Sequence, residues 1–267
     1  MEFLLHHLQN LLMIGVVFVP LELLFPAWKR EHYLRDQWRT DMTFALVNVF
    51  FIAVGLILML AAGMAAGSAL IPGAQAWIAG QALWAQVLFG VLVADLCWYW
   101  THRLAHRVPL LWRFHAIHHS IEHMDWMAGH RVHPLDQIVT RGSSLFAMSF
   151  LGIAPAAFAI VGLVFLWHGP VHHANLRFRG GFLRHIIVFS EFHHWHHANH
   201  REAYDRNFAA HFSFLDRLFG TWFESNGEPE KMGIPERIPV GYVDMLLYPF
   251  KSHPIAPEAE AAADAAS

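Results

Sequence analysis

The stretch that decides the fold reads DLCWYWTHRLAHRVPLLWRFHAIHH and occupies residues 95–119 of a 267-residue chain. Five histidines fall in it at helical spacing, namely His102, His106, His115, His118 and His119. Because positions i, i+3 and i+4 share one face of an α-helix, these imidazoles point in common directions within two groups. A third group in residues 193–197 repeats the spacing, and residues 95–219 contain eighteen of the 22 histidines. A single histidine is usually a core or surface residue, whereas three such clusters indicate a bound divalent metal.

The composition is that of a membrane protein. Hydrophobic residues make up 55% of the chain, charged residues make up only 15%, and the mean hydropathy is +0.33. A net charge of −3 gives no basic field, so nucleic acid is not an expected partner. The single cysteine, Cys97, excludes an internal disulfide and a thiolate-rich metal site. The metal would therefore be held by nitrogen and oxygen atoms.

Three apolar runs are long enough to cross a bilayer, namely residues 11–25 together with their weakly polar lead-in from Phe3, residues 42–70 and residues 82–100. Lysine and arginine are frequent in residues 26–41 and 101–141, and they are absent from the link after Pro72. Cytoplasmic loops are enriched in these residues, so both basic segments are expected on the cytoplasmic side. The sequence thus predicts a multi-pass membrane protein with its histidines on the cytoplasmic face.

A fourth apolar run, from Leu145 to Trp167, raises a problem of parity. A full crossing would place the histidines after it on the opposite side of the membrane from those before it. Gly152 and Pro155 lie near its middle, so we predict a bent, re-entrant hairpin that returns to the side it left. The predicted fold is an all-α integral membrane bundle with about three spans, this hairpin and a cytosolic histidine-rich helical cap.

The number of histidines favours two metal ions. Eight clustered imidazoles exceed what one tetrahedral zinc site uses, and the chain lacks the His-Glu-x-x-His signature of zinc proteases. The carboxylate-rich Glu-x-x-His pattern of di-iron bundles occurs once, from Glu191 to His194, where it reads as a coincidence. Imidazole suits iron, copper, nickel and zinc alike, so ligand chemistry favours iron and leaves the others open.

These motifs together resemble the membrane fatty acid hydroxylase/sterol desaturase superfamily. The resemblance covers residues 95–222 and rests on the three histidine groups with their aromatic neighbours and on a set of shorter motifs. Those shorter motifs are Arg131-x-His133-Pro134, His173-x-Asn175, Asp205-x-Asn207-Phe208 and Asp216-Arg217-Leu218-Phe219-Gly220-Thr221. The resemblance implies an all-helical membrane enzyme that uses O2 and external electrons to hydroxylate or desaturate lipid C–H bonds at a di-iron centre.

The resemblance also implies a ligand set for the two iron ions. The matching residues are His102, His106, His115, His118, His119, His193, His196 and His197, with His173 as the further histidine that often completes the site. His168 and His172 compete with His173 for that position. The corresponding division of the chain is an N-terminal membrane part at 1–81, a catalytic domain at 82–223 and a C-terminal tail at 224–267, with 256–267 expected to be disordered.

Three carboxylates are weighed as partners of the ligands. Asp95 lies seven residues before His102 on the same helical face, so it either orients a ligand imidazole or bonds a neighbouring helix. Asp125 and Asp136 could support ligands, but the preferred interpretation for both is a solvated loop carboxylate.

The sequence contains no haem-binding or dinucleotide-binding motif of its own, so electrons would come from a separate reductase, ferredoxin or cytochrome. Two other functions remain as alternatives. A histidine-rich divalent-metal transporter would place ionisable residues within several spans. A bis-histidine haem protein of electron transfer would need opposed histidines on two spans. The substrate, whether fatty acyl, sterol or ether lipid, stays open, as does the oligomeric state.

Overall fold

The computed structural model describes residues 2–251, and its regular structure is helical. The α-helices are α1 Glu2–Leu24, α2 Trp38–Leu70, α3 Pro72–Ala79, α4 Leu83–Arg107, α5 Pro109–His119, α6 Pro134–Phe150, α7 Pro155–His173, α8 Ser190–His196, α9 Phe214–Leu218 and α10 Tyr242–Leu247. Within residues 2–251 no β-strand forms, and a single isolated bridge joins Ala198 to Met232. The all-α prediction is confirmed, while the tail at 256–267 lies outside the described residues.

Proline fixes where four of the helices begin. Pro72, Pro109, Pro134 and Pro155 each occupy the first turn of a helix. Proline suits this position because it has no N–H to leave unsatisfied and its φ is already helical. The chain therefore bends sharply between α4 and α5, which brings the two halves of residues 95–119 face to face.

Within residues 2–251, four helices are long and apolar enough to cross a membrane, namely α1, α2, α4 and α7. The sequence predicted three such spans, and α7 is the additional one. The chain is accordingly a multi-pass membrane protein, as predicted. Only 17–33% of the residues in the apolar window of each helix are buried within the protein, as expected of surfaces that face lipid.

The apolar run from Leu145 to Trp167 turns back, as predicted, although its bounds differ. It contains the end of α6 and most of α7, and the turn between them has Gly152 at φ 75°. Gln75 donates to the carbonyl of Phe150 at 2.9 Å, and the Ala154 N–H donates to Gln86 at 2.9 Å. The turn thus lies beside the α2–α4 connection, and both ends of the hairpin return to the histidines.

Helices α2 and α6 approach each other closely because glycines face the contact. A Cβ added at Gly63 would collide with the backbone of Phe146 and with the Ser149 hydroxyl. Gly55 faces Ile138 and Gly142 faces Met59 in the same way. Small residues of this kind let two membrane helices pack backbone against backbone.

Buried charges fasten the polar connector between α1 and α2 to the histidine region. Arg35 pairs with Asp41 at 2.5 Å and with Asp125 at 2.6 Å, and Arg131 pairs with Asp41 at 2.5 Å. All four side chains are at most 3% exposed. Removing one partner of such a network leaves an uncompensated buried charge, so the network holds the loop after α5 firmly in place.

Glu22 forms a second link at the end of α1. Its carboxylate accepts hydrogen bonds from the backbone N–H groups of Trp126 and Asn175 at 2.8 and 2.9 Å, and from the Tyr33 hydroxyl at 2.8 Å. The only charge in the first apolar run is therefore structural. It ties α1 to the loops that precede α6 and follow α7.

Candidate metal centre

Nine histidines gather in two groups at one end of the helical bundle. The first group contains His102, His106, His115, His119 and His196. The second contains His118, His173, His193 and His197. Within each group one nitrogen from every imidazole lies within 4.8 Å of the others. The structure brings together all nine residues that the sequence analysis selected.

Separate helices deliver the members of each group. Helix α4 supplies His102 and His106, α5 supplies three histidines, and α7 ends at His173. Helix α8 and its C-cap supply the remaining three. Residues at i and i+4 lie one above the other on a helix face, so α4 directs both of its histidines into the first group. Helices α5 and α8 divide their histidines between the two groups, and α7 contributes one histidine to the second.

Backbone carbonyls hold four of these nine rings through the Nδ1 atom. The Nδ1–H groups donate from His102 to Phe208, from His118 to Arg131, from His173 to Gly169 and from His196 to Arg206, at 2.7–3.2 Å. A carbonyl oxygen can only accept, so the proton of each ring lies on Nδ1. The Nε2 lone pair is therefore free and directed into the cluster.

Pairs of Nε2 atoms face each other inside the cluster, and their protonation indicates whether the site suits a cation. His118 and His173 place their Nε2 atoms 3.1 Å apart, although both rings carry their proton on Nδ1. His102 and His115 repeat this at 3.0 Å, the latter donating its Nδ1–H to Asp136. Two lone pairs at such a distance repel. The donor set therefore fits metal ions that accept both.

Unpartnered nitrogens point to the same conclusion. The Nε2 atoms of His106 and His196 are buried and have no hydrogen-bond partner among residues 2–251. Buried polar atoms without partners are rare in native structures and call for an explanation such as an ion. Both atoms belong to the first histidine group.

Burial favours the neutral form of five clustered histidines that lie outside the membrane-spanning helices. Burial, reinforced by neighbouring imidazoles, lowers the pKa of His118, His119, His193 and His197 well below the usual value. Burial lowers the pKa of His196 to about 3. Metal ligation requires the unprotonated imidazole, so these residues are ready to bind a metal without losing a proton.

Asp95 acts on the site through the backbone. Its carboxylate accepts hydrogen bonds from the N–H groups of Ala210, His211 and Phe212, at 2.6–3.1 Å, and it contacts no ligand imidazole. Of the two interpretations offered from the sequence, direct orientation of a ligand is wrong. Asp95 instead fixes the loop whose residue Phe208 supplies the carbonyl for His102.

The same loop is shaped by the closing motif. Asp205 and Asn207 adopt φ values of 57° and 60°, a left-handed conformation that Asn and Asp tolerate better than most residues. The side chain of Asn207 bonds the backbone of Phe192 and Phe223. Asp216 accepts from the Phe208 N–H at 2.8 Å. These contacts present the carbonyls of the loop to the rings.

Asp136 and Asp125 are buried, so their interpretation as solvated loop carboxylates is wrong. Asp136, in the first turn of α6, accepts from His115 Nδ1 at 3.1 Å. Asp125 belongs to the buried ion-pair network with Arg35.

Other histidines lie outside the two groups. His168, His172 and His211 pack together, with ring centroids 4.4 Å apart for the first two. His133 caps α6 by accepting from the Leu135 N–H. His194 bonds Glu228 at 2.7 Å. Of the three rivals at the end of α7, the structure places only His173 with the other ligand candidates.

A cavity of about 350 Å³ opens onto the histidines. Five members of the two groups line it, together with apolar side chains from α1, α2 and α7 and with polar residues of α6. Its volume lies at the small end of the range of about 300–1,000 Å³ that ligand pockets occupy. The candidate metal centre is thus accessible to a slender, mostly apolar molecule.

The family model described as Fatty acid hydroxylase matches residues 87–221, which contain all nine clustered histidines. The chain belongs to the fatty acid hydroxylase family. An ornithine lipid hydroxylase of Rhizobium tropici is 30% identical over 167 residues, which are 62% of this chain and 50% of the relative. An alkylglycerol monooxygenase of Danio rerio is 29% identical over 189 residues, covering 67% and 39%.

A third fatty acid hydroxylase relative, methylsterol monooxygenase 2-2 of Arabidopsis thaliana, is 25% identical over 149 residues, covering 51% of this chain and 52% of the relative. The chain therefore spans about half the length of these curated relatives or less. No solved structure gives a significant match.

Proposed function

We propose that this protein hydroxylates a membrane lipid with O2 at a pair of iron ions. The observation that supports the proposal most strongly is the division of nine buried histidines into two adjoining groups beside an apolar cavity. The relatives named above are lipid hydroxylases and monooxygenases, which favours hydroxylation over desaturation. The balanced reaction is R–H + O2 + 2 e⁻ + 2 H⁺ → R–OH + H2O.

The two iron ions would be held by His102, His106, His115, His119 and His196 on one side, and by His118, His173, His193 and His197 on the other. Bound iron supplies the oxidising power that an unactivated C–H bond requires. The protein positions the ligands through the Nδ1 contacts and excludes water by burying them. The cavity places an alkyl segment of the substrate against the rings.

Two further features belong to the same proposal. The electrons come from a separate reductase, ferredoxin or cytochrome, because no electron-transfer motif occurs in the chain. The histidine site faces the cytoplasm, where such donors are found, in agreement with the basic residues of the connectors. The 82–223 division stays a prediction for the catalytic domain.

The test uses lipid extracts of cells that make the native protein or its His118→Ala variant under isotope-labelled O2. We expect one labelled oxygen atom in a lipid product that is absent from cells with His118→Ala. The exposed His200 gives a matched control, since His200→Ala should retain the product. A protein that moves metal across vesicles without consuming O2, or that shows an intense haem absorption band, would contradict the proposal.

A further inference from the structure

An arginine without a partner lies on the wall of the cavity. Arg141 belongs to α6, and its guanidinium makes no hydrogen bond or ion pair within residues 2–251. The Arg141 side chain lines the cavity and keeps an exposed surface there. A guanidinium is always charged and offers five N–H donors, so an unpaired one inside a membrane protein indicates a missing anion.

A second unpartnered group lies nearby. His211 is 5% exposed, lines the same cavity, and neither of its ring nitrogens has a hydrogen-bond partner of good geometry among the described residues. Burial lowers the pKa of His211, and the charges of His168 and Arg141 lower it further. His211 is therefore a neutral imidazole that can donate or accept one hydrogen bond beside a permanent cation.

The rest of the wall offers Arg141 no counter-charge. Asp136 is the only carboxylate that lines the cavity within the described chain, and it already accepts from His115. The lining from α1 and α2 is mostly apolar and includes Ile14, Ile52 and Leu56, with His7 and Asn48 as its polar members. The cavity thus combines one unbalanced cation with a surface suited to an alkyl chain.

We propose that Arg141 binds the anionic group, a carboxylate or a phosphate, of a single-chain lipid whose alkyl part lies along the cavity. The inference rests on the proposed function and names its substrate class. Arg141 is a specificity-determining residue here, because it binds the anionic end of the substrate and not the carbon that reacts. Asp136 contacts His115 of the candidate metal centre, and it lies five residues before Arg141 on α6, or about 7.5 Å of helix rise. The carbon oxidised at the metal centre therefore lies near the anionic end of the lipid.

The test is equilibrium binding to the metal-loaded protein in a neutral detergent, with three probes of equal chain length. Hexadecanoate carries a carboxylate, hexadecyl phosphate carries a phosphate, and hexadecanol is neutral. We expect the native protein to prefer at least one anion, and Arg141→Gln to weaken that binding at least about tenfold without changing hexadecanol binding. The better of the two anions identifies the headgroup.

Two variants keep the result interpretable. Arg141→Lys retains the charge but loses the bidentate contact, so its affinity should fall between those of the native protein and Arg141→Gln. Arg201→Gln, at an exposed arginine away from the cavity, should bind all three probes as the native protein does. Metal content and unfolding temperature show whether each variant is folded.

Hexadecanol binding as tight as that of both anions would overturn the inference, as would unchanged anion binding in Arg141→Gln. The binding assay needs neither O2 nor electrons. Selective anion binding without any oxidised product would therefore contradict the proposed function alone. Product formation without anion selectivity would contradict the inference alone.

Discussion

The imidazoles of His119 and His197 stack with their ring centroids 4.3 Å apart and their planes 20° from parallel. His119 belongs to the first histidine group and His197 to the second, so the two groups share a wall. The two groups are therefore in direct contact, although each has its own set of nitrogen atoms.

His197→Ala should remove one imidazole from the second group and leave the first group complete. We expect the iron content of the purified protein to fall from about two ions per chain to about one, because a site with three protein ligands retains metal less well. Elemental analysis of protein purified under identical conditions gives the measurement. His200→Ala serves as the control, and an equal loss of iron in that variant would argue against the assignment.

Asp136→Asn should weaken metal binding without unfolding the protein. The change removes the negative charge that His115 Nδ1–H faces at 3.1 Å, while preserving shape. Loss of such a supporting contact typically costs about 10–100-fold in metal affinity or activity. Competition with a soluble chelator measures the affinity. Asp244→Asn, at a carboxylate that is 61% exposed, should behave like the native protein. Equal chelator sensitivity of native protein and Asp136→Asn would contradict the supporting role.

Gly63→Ala should destabilise the bundle, because the added methyl group meets the Phe146 backbone where α2 and α6 touch. Overpacking of this kind costs about 1–3 kcal/mol. Gly162→Ala is the matched control within α7, since a Cβ there meets no other atom within 4 Å. Thermal unfolding in one detergent compares the two variants. The packing argument fails if both variants unfold at the temperature of the native protein.

His130 should make the folded protein less stable in mild acid. Burial lowers its pKa to about 4, with smaller contributions from the charges of Arg141 and His7. Below about pH 6.5 the unfolded chain therefore binds a proton that the folded protein does not, and stability falls until about pH 4 by at most about 1.4 kcal/mol per pH unit.

The variant His130→Gln removes this contribution and leaves the other histidines in place. The difference in unfolding temperature between pH 7 and pH 5 should therefore be smaller for His130→Gln than for the native protein. An identical difference in both proteins would show that His130 does not contribute.

The sequence predicted eight of the nine clustered histidines because helical spacing is a local property that the chain displays directly, whereas His173 was selected only through the family resemblance. It did not reveal what the Nδ1 atoms bond, since the acceptors at Phe208 and Arg206 are backbone carbonyls, which every residue has. The role of Asp95 was missed for the same reason. Its partners are three N–H groups from a loop more than a hundred positions away.

The hairpin shows the other limit of prediction from sequence. Helix α6 begins at Pro134, well before the apolar run. Its first turns carry polar residues such as Asp136 and Arg141, which face an internal cavity and not lipid. Hydropathy cannot distinguish these two environments. The return of the chain was predictable from parity, whereas the length of the first arm of the hairpin was not.

The order of the histidine ligands along the chain has a consequence for biosynthesis. His102 is made early, while His197 follows after the whole hairpin has been synthesised, so neither group is complete until late in translation. A metal can therefore meet a full set of these histidines only after the hairpin has been synthesised. During that interval the backbone carbonyls that accept from the Nδ1–H groups of His102, His118, His173 and His196 keep these four rings turned toward the cluster before a metal binds.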